Sequence, residues 1–133
     1  MNVPRNLSMA IVIHNGTVLV QKRFRTGKNF VFEFPGGAVE AEESAEDAAI
    51  RELFEETGMT CHEVLGKHTF PNEHGGQIDF VVLLDSKLSE PRQVNTSRQQ
   101  TFYWFGLEDI PRTDLYASDV RFIETCLKGY LER

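Results

Sequence analysis

Residues 9–13 and 17–21 are two apolar, β-rich runs separated by His14, Asn15 and Gly16. An Asn-Gly pair between such runs is the strongest short-range hairpin signal, because the matching tight turn needs positive φ at both central residues. Residues 22–29 are basic and polar and read as a loop, and residues 30–34 then predict a short strand. That strand is expected to stop at Pro35, Gly36 and Gly37, where ladder pairing is hard to continue. Ser44 reads as a helix N-cap, with Asp47 three residues on in a capping-box-like position. The spacing predicts a helix over Ala45–Thr57, ended by Gly58 as a C′ residue. Further strands are expected over 62–70 and 78–84, with a polar loop over 71–76 between them. Residues 86–100 predict a long polar loop, Thr101–Phe105 an aromatic strand and 119–131 a C-terminal helix. No repeat or composition break interrupts the pattern, so residues 1–133 are read as one domain, long enough to bury a core.

The helix at 45–57 carries an unusual polar face. At about 100° per residue, Ile50, Leu53, Phe54 and Thr57 point one way and are expected to dock on a sheet. Glu52, Glu55 and Glu56 gather on the opposite side. Like charges on adjacent helical positions cost about 0.2–0.5 kcal/mol per pair, so something is expected to compensate them. A solvated acidic surface is the ordinary explanation, but three neighbours favour a site. Arg51 lies beside Glu55 and can neutralise or orient it. Gly36 and Gly37 lie just upstream, where a backbone without side chains lets a ligand approach closely. Oxygen-rich carboxylate clusters suit a hard cation such as Mg²⁺, which commonly also binds substrate phosphates.

Composition narrows the partners. A formal net charge of −6 argues against a broad basic surface for nucleic acid. A small anionic substrate stays compatible, since a bound divalent cation inverts the local field. Cys61 and Cys126 fit no metal or redox spacing and read as reduced thiols. Residues 1–8 hold no signal-like apolar run, and no stretch approaches the roughly 20 residues of a membrane span. A cytoplasmic protein is expected.

From Gly37 the chain reads Gly, five residues, Glu43, seven residues, Arg51-Glu52-Leu53, Phe54, Glu55-Glu56, Thr57, Gly58-Met59. This resembles a complete Nudix box, G-x5-E-x7-R-E-U-x-E-E-x-G-U with U a bulky apolar residue, and every fixed position is met. The preceding Phe32-Glu33-Phe34-Pro35-Gly36-Gly37 resembles the entry to that box in the MutT-like branch that cleans damaged nucleotides. The motif covers about a fifth of the chain, and the flanking strand pattern extends a weaker resemblance over nearly all of it.

The resemblance implies an α/β fold, an α/β/α sandwich in which a mixed sheet lies between helices and the box helix packs through Ile50, Leu53 and Phe54. It implies that Glu52, Glu55 and Glu56 hold divalent metal with the Gly36 carbonyl, Mg²⁺ by preference and Mn²⁺ as a substitute. Arg51 would position box carboxylates by ion pairing, and Glu43 would support the loop–helix arrangement. Glu55 is the box glutamate favoured as general base. Two departures stand out. Members often carry an acid shortly before the strand at 101–105, where this chain has Ser97-Arg98-Gln99-Gln100. Glu42 stands where relatives commonly have a turn glycine, and the loop is expected to adjust to it.

The implied reaction is hydrolysis of a nucleoside diphosphate linked to another moiety. A nucleoside triphosphate, oxidised or not, giving monophosphate and pyrophosphate, fits the box entry and the late Trp104-Phe105. Lys22, Arg23 and Arg25 are candidates for phosphate or base contacts, Phe80 and Phe30 for a purine sandwich, and Asp119 for the base edge. Each has an ordinary alternative as loop cation, core aromatic or helix-start carboxylate. His68 and His74 are read as surface residues. ADP-ribose, diadenosine polyphosphates, sugar nucleotides and capped RNA stay open as substrates. So does a non-catalytic nucleotide-sensing module, a reading that loss of a box glutamate would favour, although none of the three is lost. Monomer and homodimer are both left open.

Overall fold

The computed structural model describes residues 5–72 and 75–132. Strands β1 (Leu7–His14) and β2 (Thr17–Arg25) form the expected hairpin around Asn15 and Gly16, whose φ values of 43° and 75° meet the demand of the tight turn. β3 (Asn29–Glu33) and the three-residue β4 (Gly36–Ala38) follow, then helix α1 (Ala45–Thr57), β5 (Glu63–Pro71), β6 (Gln77–Leu84) and β7 (Thr101–Phe105). The C-terminal run is α2 (Ala117–Phe122), a π-helical turn at Ile123–Leu127 and α3 (Lys128–Leu131).

Among the described residues the strands make one mixed seven-stranded sheet, ordered β3-β2-β1-β6-β5, with β4 paired to β1 and β7 to β2. Only β1 and β6 run parallel, in continuous register from Leu7↔Ile78 to Ile13↔Leu84. Alternation along β1 feeds both faces. Ala10 and Val12 join Leu19, Ala49, Leu53, Val81 and Leu83 beneath α1. Ile11 and Ile13 join Val18, Phe34, Phe80, Phe122 and Leu127 beneath the C-terminal helices. Helices thus cover both faces of a mixed sheet, the sandwich expected from the sequence.

Five expectations are corrected. Residues 22–29 are not a loop: β2 runs on to Arg25 and pairs with β3 from Gln21↔Glu33 to Arg25↔Asn29. Its basic residues alternate sides, so each face can satisfy them separately. Phe54 does not pack the box helix, being 54% exposed. Instead α1 buries Ala48, Ala49, Leu53, Thr57 and Glu56, with Ile50 partly covered. Glu42 takes φ 64°, so the loop does not adjust around it. His68 is half-buried rather than free on the surface, since its Nε2 meets the Tyr130 hydroxyl at 2.7 Å and its ring packs on Phe122. His74, also expected at the surface, lies outside the described residues. The C-terminal helix starts two residues earlier than expected, at Ala117.

The start of α1 is tied to the sheet. The Ser44 side chain accepts from the Asp47 N–H at 3.0 Å, and the Ser8 hydroxyl of β1 donates to the Ala45 carbonyl at 2.5 Å. Gly58 closes the helix with φ 76°, its N–H donating to the Phe54 carbonyl. The helix start is thus tied to β1 through Ser8 and its last turn to β4 through the Gly36 N–H on Glu56, which sets where its glutamates stand.

Candidate functional site

The Gly36–Gly37 strand lies close against β1 on one side and the Glu52 side chain of α1 on the other. A Cβ on Gly36 would lie 2.5 Å from the Ser8 carbonyl, and one on Gly37 would lie 2.5 Å from Glu52 Oε1. At Gly36 the β1 backbone leaves no space for a Cβ, and at Gly37 a Cβ would displace the Glu52 carboxylate. On the helix side, Arg51 organises the neighbouring carboxylates. Its Nε and Nη2 donate to the two oxygens of Glu43 at 2.8 and 3.0 Å. Nη1 donates to Glu52 at 3.1 Å and to Glu55 at 3.1 Å, and Nη2 also reaches the Ala38 carbonyl at 3.1 Å. Bonding to Arg51 holds the Glu43 carboxyl below its usual range, helped by the Glu40 N–H, while Glu43 raises Arg51 well above its own.

Glu56 differs from the other two helix carboxylates. Its side chain is 5% exposed, against 19% for Glu52 and 49% for Glu55. Its Oε2 accepts the Gly36 N–H at 2.8 Å, and its Oε1 accepts from Gln21 and from Arg98, each at 3.2 Å. Burial nevertheless outweighs these donors and pushes its carboxyl up to about 7, with repulsion from Glu52 adding to the shift. Gln21 also donates to Glu33, and its own carbonyl accepts from Gln100, so a buried polar chain links β2, β3, α1 and the segment before β7.

In donor chemistry the residues fit a divalent cation. Glu52, Glu55, Glu56 and the Gly36 carbonyl offer oxygen alone, the ligand that hard cations prefer. Among the described residues no three His, Cys, Asp or Glu side chains converge closely enough to share one metal as they stand. Arg51 and Arg98 hold these carboxylates as tethered cations.

On the other side of Gly36 and Gly37 lies a cleft of about 310 Å³. Leu7, Met9 and Ile78 give it an apolar floor, and Asp119, 2% exposed in the first turn of α2, lies in its wall. Tyr116, Lys28 and Arg25 form its rim, with the Lys28 ammonium 4.8 Å from the centre of the Tyr116 ring. Arg25 pairs with Glu33 through bonds of 3.1 Å to both carboxylate oxygens.

The other expected contacts are dispersed. Lys22 and Arg23 are neighbours on β2 and therefore face opposite sides of the sheet. Lys22 lies over the rings of Phe30 and Phe32, at 5.1 and 5.8 Å, away from the carboxylates. Arg23 faces Glu33, 3.7 Å away, on the same side as Gln21 and Arg25. Phe80 is a correction: it is fully buried and stacked on Phe122 at 4.6 Å, with Phe34 and Phe70 against it, so a base has no access to its ring. Phe30 is exposed but has no facing partner in Phe80. Trp104 packs into the core beneath α1 and meets His14 edge-on, and Phe105 stacks on Tyr103.

Arg98, Gln21, Glu33 and Tyr116 were not singled out as site residues from the sequence. The period-two series Gln21, Arg23, Arg25 carried a signal, since it marks one polar face of a strand. The basic residue in the 97–100 segment carried another, because the resemblance leads to the expectation of an acid there.

The NUDIX domain model matches residues 4–126. An uncharacterized Nudix hydrolase of Schizosaccharomyces pombe is 40% identical over 105 residues, which cover 74% of this chain and 50% of that protein. This chain thus spans about half that relative's length. The oxidized purine nucleoside triphosphate hydrolase of Danio rerio is 29% identical over 129 residues, 92% of this chain and 79% of the relative. The crystal structure of a MutT NUDIX hydrolase from Burkholderia pseudomallei superposes with a TM-score of 0.72 at 28% identity, covering 94% of this chain and 99% of that one.

Proposed function

The chain belongs to the Nudix family, and from that premise we propose that it is a Mg²⁺-dependent hydrolase of nucleoside triphosphates, releasing monophosphate and pyrophosphate. The observation that carries this reading is the position of Gly36 and Gly37. They separate a base-sized cleft holding Asp119 from the carboxylates gathered on α1. A nucleotide lying across the two glycines places its base in the cleft and its phosphates beside Glu52, Glu55 and Glu56.

Each residue then has a distinct task. Asp119 accepts hydrogen bonds from the N–H edge of a purine, oxidised or not, while the Tyr116 ring borders the base. Arg51 fixes the directions of Glu43, Glu52 and Glu55, so these carboxylates are preorganised before substrate arrives. Glu52, Glu55, Glu56 and the Gly36 carbonyl would hold a divalent cation, Mg²⁺ or in its place Mn²⁺, which when bound would supply charge neutralisation at the phosphates and acidify water. Glu55, the most exposed of the three, takes the proton of the attacking water. The water oxygen bonds to phosphorus, the bridging P–O bond breaks, and pyrophosphate leaves without a covalent enzyme intermediate. The substrate is a small nucleotide, and no helix among the described residues is long and apolar enough to cross a membrane.

A panel of standard and oxidised nucleoside triphosphates, ADP-ribose, diadenosine polyphosphates and sugar nucleotides tests this reading with Mg²⁺ present. Equal amounts of monophosphate and pyrophosphate from a triphosphate are expected, with Asp119→Ala raising KM for purines about tenfold. Turnover of ADP-ribose or a sugar nucleotide alone would replace the proposed substrate class.

A further inference from the structure

Three guanidinium groups and two carboxylates share the polar side of β2. Arg25 and Arg23 pair with Glu33, and Arg98 pairs with Glu56. One positive charge is left over. The groups also feel one another: burial lowers the Arg23 pKa first, and the nearby charges of Arg25 and Arg98 lower it further. Arg23 Nε is buried with no hydrogen-bond partner among the described residues. A surplus cation and an unused buried donor, next to carboxylates proposed to sit beside phosphates, point to an anion.

Arg98 is the member of this group able to move. It reaches Glu56 through one Nη at 3.2 Å, while a guanidinium carries five N–H donors. Its side chain is 34% exposed and its partner 5%, so the pair spans the boundary between solvent and the buried network. Its backbone is fixed in a single turn at Thr96–Arg98. There the Asn95 side chain accepts from the Ser97 N–H, and the Gln93 side chain anchors the Gln100 N–H. A fixed backbone with a long, partly exposed side chain gives reach without movement of the loop. Glu56 keeps two donors, Gln21 and the Gly36 N–H, when Arg98 departs.

We propose that Arg98 is a substrate-binding residue with two positions, held on Glu56 in the nucleotide-free chain and transferred to the terminal phosphates of a bound nucleoside triphosphate. The inference rests on the function proposed above. In its first position Arg98 competes with a divalent cation for Glu56 Oε1. In its second it joins Arg23 in binding the pyrophosphate portion, which favours substrates whose terminal phosphates are free. Arg98, three residues before β7, then selects the leaving group.

The test uses Arg98→Gln and Arg98→Lys in the full chain, with two readouts that need no turnover. Mn²⁺ binding to nucleotide-free protein is measured by electron paramagnetic resonance. Binding of an α,β-methylene nucleoside triphosphate in the presence of Mg²⁺ is measured by calorimetry. Arg98→Gln is expected to tighten Mn²⁺ about two- to fivefold, because a competing ion pair is removed. It is expected to weaken the analogue by roughly ten- to a hundredfold, the loss of a charge-assisted bond, with Arg98→Lys recovering part of it. If Arg98 merely props Glu56, Arg98→Gln weakens Mn²⁺ and leaves the analogue unchanged, and either result overturns the proposal. Wild-type protein that binds the analogue but hydrolyses no triphosphate would reject the functional reading, while both binding comparisons still judge Arg98.

Discussion

Arg51 holds Glu43 through two nearly parallel bonds of 2.8 and 3.0 Å, joining the middle of α1 to the loop that precedes it. The same guanidinium reaches Glu52, Glu55 and the Ala38 carbonyl, so one side chain sets the geometry of four groups. Lysine keeps the charge but cannot fork across two carboxylate oxygens. Arg51→Lys is expected to lower turnover at least tenfold and to cost about 1 kcal/mol of stability. That cost corresponds to a melting temperature lower by roughly 3–5 °C. Steady-state kinetics and thermal unfolding of the same preparation measure both. A variant with wild-type turnover would remove Arg51 from the site.

Glu42 carries backbone strain next to this arrangement. Its φ of 64° lies in the left-handed region, where a Cβ crowds the following carbonyl. Glu42→Gly is expected to stabilise the fold by about 0.5–1 kcal/mol, the relief being partly offset by the greater freedom of glycine in the unfolded chain. Turnover should not change. Denaturant unfolding of the two proteins decides it, and equal midpoints would show that the position bears no strain.

Features of this fold set by residues close in sequence are legible there, and those set by distant residues are not. Helix α1 and the Asn15-Gly16 turn depend on residues within a few positions of one another, and caps and turn residues declared both. β2 beyond Gln21 was hidden because Lys22, Arg23 and Arg25 look like loop residues until alternation assigns them to opposite faces. Glu56 and Phe54 exchanged environments for a similar reason. The helix wheel places an apolar arc, but burial of Glu56 comes from Gly36, Gln21 and Arg98, which are distant in sequence. Phe80 looked available because an aromatic on a strand gives no sign of which face the C-terminal helices will cover. The carboxylate spacing was legible; the guanidiniums that hold those carboxylates were legible only in part.

The two thiols should differ in reactivity. Cys61 is buried, and burial, with repulsion from Asp85, pushes its thiol up to about 11. Cys126 is partly exposed. The thiolate is the nucleophile, so a raised pKa keeps Cys61 protonated through neutral and mildly alkaline pH. Labelling with a thiol-reactive disulfide at pH 8 should modify one cysteine per folded chain and two after denaturation. Rapid labelling of both thiols in folded protein would contradict the burial of Cys61.

Glu55 offers the most direct test of the central claim, that the glutamate face of α1 performs phosphoanhydride hydrolysis. Its side chain is 49% exposed and its contacts are with Arg51, so amide replacement removes a proton acceptor without opening the core. The decisive measurement is the rate of pyrophosphate release from a nucleoside triphosphate at saturating Mg²⁺, for wild type and Glu55→Gln. Loss of a positioned base predicts a fall of roughly a hundredfold or more, with the melting temperature nearly unchanged. A Glu55→Gln enzyme that releases pyrophosphate at the wild-type rate would contradict the account.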